Sequence, residues 1–193
     1  RNKCPADENY PSLPSNIYEE TKLLAEKEIK SSGVNYTILR PAFVYGPRDM
    51  HVLELFKVIN RGYFILVDDG RAYIHPTYID DVVSGVTLSL LNSRAYGNIY
   101  NIVGDRYVSI KYLTNIISNA LNRKVKLISL PSSMLFPTAR LLELLYIFKI
   151  VPPITTSRVK FFSEDRAFTY ENAMNTIGYK PTMSLEEGIR KTV

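Results

Sequence analysis

The chain has 193 residues, enough for a domain with a real hydrophobic core, and its 46% hydrophobic and 22% charged residues are typical of folded globular proteins. The net charge is +5 at pH 7, but Lys and Arg are scattered singly, so a nucleic-acid partner is not expected. One cysteine, Cys4, excludes an internal disulfide and a cysteine-cluster metal site, and it fits a reducing, cytoplasmic location.

The opening segment predicts a loop followed by a long helix. Residues 1–16 include three prolines, and Asn16 is a favourable N-cap for a helix from Ile17 to about Ser32. Gly33 ends that helix, because glycine adopts the left-handed conformation that closes helices. The predicted buried side of the helix consists of Leu23, Leu24, Ala25 and Ile29.

The rest of the chain alternates extended segments with helices. Extended segments are predicted at 34–39, 63–67, 73–75, 98–103 and 125–130, and helices at 52–61, 78–91, 109–121, 133–149, 155–164, 171–177 and 184–192. Most of the strands are nearly continuous apolar runs, which are typical of a parallel sheet covered on both faces. The predicted fold class is therefore α/β, a doubly wound parallel sheet, with a smaller and mostly helical lobe after Pro131.

The most apolar stretch runs from Leu141 to Val151. It is too short to span a bilayer and carries Glu143 and Lys149, so we expect a packed helix here and no membrane partner. A helix lying on a membrane surface is the alternative for this stretch.

A tyrosine and a lysine stand four residues apart at Tyr18 and Lys22, on the first predicted helix, where that spacing puts two side chains on one face. Tyrosine phenols ordinarily have a pKa near ~10 and are poor bases at neutral pH, and a nearby cation favours the phenolate. Such a pair suits proton transfer from a substrate hydroxyl while hydride leaves for a nicotinamide. The spacing alone is weak evidence, because Tyr107 and Lys111 share it across a predicted strand-to-helix turn capped by Ser109.

Four segments, in order along the chain, resemble the extended short-chain dehydrogenases/reductases, the group that contains the NAD-dependent epimerases and dehydratases. The first, residues 14–26 (PSNIYEETKLLAE), resembles the active-site helix of that group. The second, residues 33–47, looks like the strand and loop that pass the nicotinamide. The third, residues 75–82 (HPTYIDDV), resembles the start of the next family helix, and the fourth, residues 172–188, resembles the closing segment.

This resemblance implies a Rossmann-like fold with NAD or NADP as cofactor. It makes Tyr18 the catalytic acid/base and Lys22 the residue that activates it and holds the nicotinamide ribose. Residues 1–130 would form the C-terminal half of the NAD(P)-binding domain with interleaved substrate-lobe segments, and residues 131–193 the mostly helical substrate lobe. The residues implied to border the nicotinamide are Pro41, Ala42, Phe43 and Val44.

Two features of the family pattern are absent from this sequence. The family's cofactor site begins with a glycine-rich loop, whereas no two of the nine glycines here are closer than seven residues. Family members also place a Ser or Thr beside the tyrosine, on a strand that would precede Arg1. We therefore expect this chain to be the C-terminal part of a longer protein. If the upstream half is degenerate, the alternative is a non-catalytic nucleotide-binding module.

The expected substrate is a nucleotide sugar. The segment Arg71 to His75 (RAYIH) resembles the arginine-bearing segment that contacts the diphosphate in sugar-nucleotide epimerases, and a guanidinium fork suits phosphate. Arg158 is a second candidate phosphate ligand, or else it caps a helix. A dehydrogenase or reductase of the 3β-hydroxysteroid or dihydroflavonol type is the alternative. A homodimer through the helix at residues 17–32 is also expected.

Other polar residues are expected to be structural. Arg40 is interpreted as an ion-pair partner, and Asp80 and Asp81 as acids that complement the dipole at a helix start. His75 is interpreted as a hydrogen-bonded structural histidine. With His51 as the only other histidine and no third ligand at metal-binding spacing, no metal site is expected.

Overall fold

The computed structural model describes residues 4–152 and 154–193, and the side chain of His51 lies outside the described part. The helices are α1 (Ile17–Ser31), α2 (Met50–Asn60), α3 (Ile79–Leu90), α4 (Ile110–Ala120), α5 (Ser132–Glu143), α6 (Thr156–Ser163), α7 (Glu171–Ile177) and α8 (Leu185–Thr192). The strands are β1 (Thr37–Pro41), β2 (Phe43–Tyr45), β3 (Tyr63–Val67), β4 (Tyr73–Ile74), β5 (Pro76–Tyr78), β6 (Asn98–Ile102), β7 (Val108–Ser109) and β8 (Lys126–Leu130).

The strands pair two by two. Strand β1 pairs with β6, β2 with β5 and β3 with β8, all in parallel, while β4 and β7 are antiparallel. Parallel pairs joined through helices confirm the predicted α/β class. The first strand begins three residues later than predicted and continues to Pro41, which stands opposite Ile102 at the end of β1, where a proline is tolerated.

The described chain divides into two compact units, each built from separated segments. The first unit holds the residues up to Gly46 together with His75–Tyr107 and Ala167–Gly188. The second unit holds Pro47–Ile74, Val108–Arg166 and Ile189–Val193. The boundary near residue 130 that the sequence suggests stays a prediction.

Strand β6 lies at the centre of the first unit. Its Tyr100 and Ile102 are fully buried, and they pack with Ala173 and Ile177 of α7 and with Tyr179 just after it. The Tyr179 hydroxyl donates to the Val103 carbonyl at 2.8 Å, which satisfies a buried phenol. Helix α3 also contacts β6. Apolar side chains therefore cover β6 along much of its length.

The second unit has its core between β3, α5 and α6. Val67, Leu135, Ala139 and Val159 form a buried cluster there. The rings of Phe64 and Phe162 meet edge-on with their centroids 6.1 Å apart. Aromatic edge-to-face contacts of this kind add specific geometry to the burial of apolar area.

Two expectations about burial are wrong. None of the residues of α1 is buried, and Leu24 and Ile29 of its predicted buried side are exposed. The stretch from Leu141 to Val151 is not a packed helix: α5 ends at Glu143, and a 3₁₀ helix with no buried residue follows over Leu144–Phe148. Apolar spacing identifies a face, but it does not identify what covers that face.

Candidate active site

Tyr18 and Lys22 lie near the start of α1, whose first turn is fixed by local hydrogen bonds. The Asn16 side chain caps the helix by accepting from the Glu19 amide at 2.9 Å, and the Glu19 carboxylate accepts from the Ser15 amide at 2.7 Å. The predicted N-cap is therefore confirmed. Two reciprocal bonds at a helix start set the direction of its first turn.

The structure brings the two predicted catalytic side chains together. The Lys22 Nζ lies 5.5 Å from the centroid of the Tyr18 ring, one helical turn away. Tyr18 is 70% exposed, and neither its hydroxyl nor the Lys22 ammonium has a hydrogen-bond partner within residues 4–152 and 154–193. The pair therefore leaves a phenol and an ammonium side by side and exposed at the start of α1.

An ion pair fastens α1 to β1. Arg40 donates from Nε to Glu26 Oε1 at 2.8 Å and from Nη2 to Glu26 Oε2 at 2.6 Å, and its Nη1 donates to the Glu8 carbonyl at 3.1 Å. The hydrogen bonds from Arg40 hold the pKa of Glu26 below its usual value and raise the pKa of Arg40. The structural role expected for Arg40 is thus confirmed. Because Glu26 stands one further turn along the same helix as Lys22, this ion pair fixes the position of Tyr18 and Lys22 relative to β1.

The segment from Pro41 to Val44 joins β1 to β2. The Ala42 amide donates to the Ile102 carbonyl at 3.2 Å, and the Phe43 amide donates to the His75 carbonyl at 3.2 Å. Pro41 is exposed, and the three residues after it are half-buried. Backbone hydrogen bonds to Ile102 and His75 therefore hold the segment in place, while part of its surface stays exposed. A segment predicted to border a ligand requires both features.

His75 is a structural residue, as the sequence suggests. Its Nε2 lies 3.1 Å from the Gly104 carbonyl, and its Nδ1 accepts from the Phe168 amide at 3.4 Å. A neutral ring with its hydrogen on Nε2 satisfies both contacts. Burial lowers the pKa of His75 to about 4. The histidine is therefore an uncharged link between β5 and the residues before α7.

Asp81 is also structural. It is buried in the first turn of α3, and its Oδ1 accepts from the Thr182 amide at 2.8 Å and from the Thr182 hydroxyl at 3.0 Å. Asp80 precedes it in the same turn. Both acids stand at the positive end of the helix dipole, which agrees with the expectation from the sequence.

Arg71 lines an open cavity of about 630 Å³ in the second unit. Its guanidinium is 81% exposed and donates to the Asp69 carboxylate at 2.7 Å. Asp69 in turn accepts a hydrogen bond from the Ser129 hydroxyl at 2.6 Å. This hydrogen bond, together with the charges of Arg71 and Lys111, holds the pKa of Asp69 below its usual value. The residues that line the cavity are Asp69, Gly70, Arg71, Tyr73, Ser109 and Lys111.

The turn that carries Arg71 has an unusual backbone. Asp68, Asp69 and Gly70 have φ values of 47°, 63° and 65°, so three successive residues are left-handed. Hydrogen bonds to side chains stabilise this strained backbone. The Asp68 carboxylate accepts from the Ser132 amide at 2.8 Å, and the Asp69 amide donates to the Ser129 hydroxyl at 3.1 Å. The turn therefore projects Arg71 from a rigid base.

Lys111 is a second cation in this cavity, and the sequence pattern gives no sign of it. It belongs to the first turn of α4, where Ser109 caps the helix by accepting from the Tyr112 amide at 3.2 Å. A Cβ on Gly70 would stand 3.0 Å from the Lys111 amide nitrogen, so the glycine permits this close approach. Tyr107 precedes the helix, which confirms that Tyr107 and Lys111 do not share a helical face.

Arg158 is not among the residues that line this cavity. It lies in the first turn of α6, where its amide donates to the Thr155 hydroxyl at 3.2 Å. Its charge also helps to lower the pKa of Glu54 on α2, although the main cause is the hydrogen bond from Lys57. The two arginines proposed from the sequence are therefore not brought to one site.

Two other kinds of feature are absent from the described part of the chain. Within residues 4–152 and 154–193, no group of three His, Cys, Asp or Glu side chains is arranged to hold a metal ion. Over the same residues, no helix combines the length and the apolar character needed to cross a bilayer.

Similarity to known proteins extends over the whole chain. It is 28% identical over 211 residues to the 3β-hydroxysteroid-dehydrogenase/decarboxylase isoform 1 of Arabidopsis thaliana, covering 97% of this chain and 48% of that protein. It is 28% identical over 206 residues to the N-acetyl-α-D-glucosaminyl-diphospho-ditrans,octacis-undecaprenol 4-epimerase of Escherichia coli O157:H7, covering 100% of this chain and 60% of that protein. The chain thus spans about half to three-fifths of the length of these relatives.

Solved structures show the same fold. The UDP-glucuronic acid 4-epimerase from Bacillus cereus, solved in complex with UDP-glucuronic acid and NAD, superposes with a TM-score of 0.71 at 23% identity, covering 99% of this chain and 56% of that one. This likeness establishes the Rossmann-like α/β fold predicted from the strand pattern. The family model of the NAD-dependent epimerase/dehydratase family matches residues 2–103, more than half of the sequence. NAD or NADP is the cofactor of such enzymes. The chain therefore belongs to the NAD-dependent epimerase/dehydratase family.

Proposed function

We propose that Tyr18 is the acid/base of an NAD(P)-dependent epimerase or dehydrogenase that acts on a carbinol carbon. The observation that carries the proposal is the pair on α1, in which the Lys22 ammonium lies 5.5 Å from the Tyr18 ring. In the oxidative direction the Tyr18 phenolate removes the proton from a substrate hydroxyl while the carbinol carbon gives up hydride. The Lys22 ammonium places a positive charge beside the ring of this phenol, where the substrate hydroxyl gives up its proton.

The residues present fit the nicotinamide end of a dinucleotide. Lys22 offers an unpaired ammonium for ribose hydroxyls, beside the exposed phenol of Tyr18. The partly open segment from Pro41 to Val44 supplies a surface for the nicotinamide ring. When bound, the oxidised cofactor supplies the acceptor for the hydride. The protein's own part is to orient the substrate hydroxyl and to hold the proton on Tyr18 Oη.

We place the phosphate groups of the substrate in the cavity lined by Arg71 and Lys111. Two cations around one open cavity attract a diphosphate, and the guanidinium bonds two oxygens at once. Asp69 holds Arg71 in the absence of a ligand, so an incoming phosphate has to displace that carboxylate from the guanidinium. Two relatives support a sugar joined through phosphate: the E. coli relative is named for a glucosaminyl-diphospho-undecaprenol, and the B. cereus structure holds UDP-glucuronic acid.

A dehydrogenase of the sterol type is the second candidate. The A. thaliana relative is a 3β-hydroxysteroid-dehydrogenase/decarboxylase with the same level of identity as the E. coli epimerase. The two candidates differ at the cavity, since a sterol offers nothing to Arg71 and Lys111 that resembles a diphosphate. A non-catalytic nucleotide-binding module is the third candidate, and it predicts cofactor binding without turnover.

The remaining parts of the proposal concern assembly and location. The open surface of α1, which has no buried residue, supports a homodimer through this helix. The single cysteine, Cys4, supports a reducing, cytoplasmic location. Light scattering of the full-length polypeptide that carries these 193 residues tests the dimer, and Ile17→Glu on α1 should then yield a monomer.

The decisive experiment on catalysis is Tyr18→Phe in that full-length polypeptide. We expect kcat/KM to fall by about 10²–10⁴, because the substitution removes the oxygen that carries the proton. Cofactor binding should be retained, because only one atom is lost from an exposed side chain. The control is Tyr96→Phe, since Tyr96 is also exposed in the first unit and is not among the residues assigned to catalysis or cofactor binding. Undiminished turnover by Tyr18→Phe would remove Tyr18 from the mechanism, and a parent protein that binds NAD without any turnover would favour the binding module.

Substrate class is tested separately at the cavity. Lys111→Met should weaken inhibition by UDP about tenfold or more, because it removes a charge-assisted contact to phosphate. Lys124→Met, at an exposed lysine of the second unit that does not line the cavity, is the matched control. Oxidation of a 3β-hydroxysteroid that is unchanged by Lys111→Met would favour the sterol-type candidate.

A further inference from the structure

An apolar tip projects from the second unit at residues 141–151. Seven large apolar side chains on this tip are each between 52% and 75% exposed. They are Leu141, Leu144, Tyr146, Ile147, Phe148, Ile150 and Val151. Single exposed apolar residues are ordinary, whereas seven within eleven successive residues form a patch that requires an occupant.

The tip is a folded structure with two anchored ends. It leaves the core just after Ala139, which is fully buried, and returns to it at Pro152, which is also fully buried. Between them, Glu143 Oε1 accepts from the amide and from the hydroxyl of Thr156, each at 2.8 Å, and so ties the base of the tip to the start of α6. The exposed apolar residues therefore belong to a segment that is held at both ends.

A left-handed residue closes the tip. Lys149 has φ 58° and ψ 22°, its amide donates to the Tyr146 carbonyl at 2.9 Å, and the Ile150 amide donates to the Leu145 carbonyl at 3.1 Å. This backbone reversal brings Ile150 and Val151 back from the outer end of the 3₁₀ helix. Lys149 adopts a conformation that favours glycine and is itself exposed, so a cation follows directly after the apolar 3₁₀ helix.

The exposed charged residues within positions 140–151 are all cations. Arg140 and Lys149 are exposed, and neither forms an ion pair with any residue that the structure describes. Glu143 is the only acid within residues 141–151, and its carboxylate is turned to Thr156. Apolar side chains with cations at the edge match a lipid surface that bears negative charge. In a symmetric contact with a second copy, by contrast, this segment would bring two sets of Arg140 and Lys149 into one interface with no exposed acid from positions 140–151 to balance them.

We propose that the tip formed by residues 141–151 docks the protein on an anionic lipid surface. Ile147 and Phe148 enter the boundary between headgroups and acyl chains, Tyr146 lies at headgroup level, and Arg140 and Lys149 contact lipid phosphates. The tip lies on the membrane and does not cross it. This reverses the expectation from the sequence, which favoured a packed helix for this stretch. The inference is independent of the proposed reaction, because it concerns a surface that holds none of the residues assigned to catalysis.

The test is co-sedimentation of the full-length polypeptide with vesicles, in parallel with the 193-residue chain. We expect both to bind mixed phosphatidylcholine and phosphatidylglycerol vesicles better than pure phosphatidylcholine vesicles. Ile147→Glu combined with Phe148→Glu should lower the vesicle partition coefficient at least about tenfold, because two side chains no longer enter the lipid. Lys149→Gln should weaken binding to the mixed vesicles and leave binding to pure phosphatidylcholine vesicles unchanged. A higher salt concentration should also weaken binding to the mixed vesicles, because salt screens the attraction between charges.

Matched variants keep the result interpretable. Leu90→Glu with Leu91→Glu changes two adjacent residues that are 77% and 82% exposed in the first unit, and vesicle binding should not change. Phe148→Ser is a milder second variant, and circular dichroism reports whether each variant folds. Vesicle binding that is absent in the full-length polypeptide, or equal in the parent and the tip variants, overturns the proposal. A lipid-free dimer that Phe148→Ser converts to monomer assigns the tip to a second copy instead and overturns it as well.

Discussion

Replacing His75 with glutamine should remove a defined part of the pH dependence of stability. Burial lowers the pKa of His75 from 6.5 to about 4, although its contacts with the Gly104 and Phe168 backbone act in the opposite direction, so the ring is neutral at pH 7. In the unfolded chain the ring takes up a proton near its ordinary pKa, so the unfolded state binds more protons than the folded state between these two values. The stabilisation is therefore complete above about pH 6.5 and is lost as pH falls toward 4.

The magnitude follows from the two pKa values of His75. A shift from 6.5 to about 4 corresponds to about 3 kcal/mol at full effect, of which about 2 kcal/mol is lost on going from pH 7 to pH 5. His75→Gln keeps an N–H donor for the Gly104 carbonyl and an acceptor for the Phe168 amide, but it carries no proton that titrates. The variant is expected to be less stable than the parent at pH 7, and to lose about 2 kcal/mol less between pH 7 and pH 5.

Urea unfolding at the two pH values measures this difference. Since the chain has no Trp and 14 Tyr, circular dichroism with tyrosine fluorescence is the suitable signal. The quantity to compare is the change in the free energy of unfolding between pH 7 and pH 5, in the parent and in His75→Gln. Equal changes in both proteins would refute the assignment of His75 as a neutral buried link.

Two further substitutions probe the packing and the ion pair of the first unit. Gly104→Ala should destabilise the chain by at least about 2 kcal/mol in urea unfolding, because its Cβ would stand 2.1 Å from the Pro76 carbonyl oxygen, which belongs to the backbone and cannot rotate away. Gly97→Ala is the comparison, because its Cβ would meet nothing within 4 Å although its φ is +75°. It should lower the free energy of unfolding by only about 1 kcal/mol, and equal losses at Gly97 and Gly104 would contradict the steric argument. Glu26→Gln should lower the free energy of unfolding by about 1–2 kcal/mol at pH 7, because it weakens the contact with Arg40. This difference in stability from the parent should disappear as pH falls through the lowered pKa of Glu26. A difference that persists in acid would show that charge is not the cause.

Much of the local structure could be predicted from the sequence. Helix α7 has the predicted bounds, and α3, α4, α6 and α8 differ by about one residue at each end, because their caps and apolar spacing are local signals. The Tyr18 and Lys22 pair was predictable for the same reason: two residues on one helix keep their spacing wherever the helix packs.

The features that depend on contacts between distant segments could not be predicted. Lys111 lines the cavity of Arg71 only because Gly70 lets the turn after β3 close on the start of α4, some forty positions further along the sequence. The exposure of α1 and of residues 141–151 was missed because an apolar face looks the same in the sequence whether a neighbour covers it or not. Arg158 was predicted as a second phosphate ligand, but the sequence does not show that it stays outside the lining of the Arg71 cavity.

The way the first unit is assembled limits when the protein can fold. Its segments come from both ends of the chain: the Ala6 amide donates to the Ala167 carbonyl at 2.9 Å, and Tyr179 fills the core beside β6. During synthesis β6 leaves the ribosome well before α7. The apolar side chains of β6 therefore stay uncovered until the residues that pack against them have been translated. Long-range closure of this kind is slow and leaves the growing chain exposed to aggregation. The first unit therefore closes only after α7 has been translated, and premature stop codons anywhere before α7 should yield insoluble fragments.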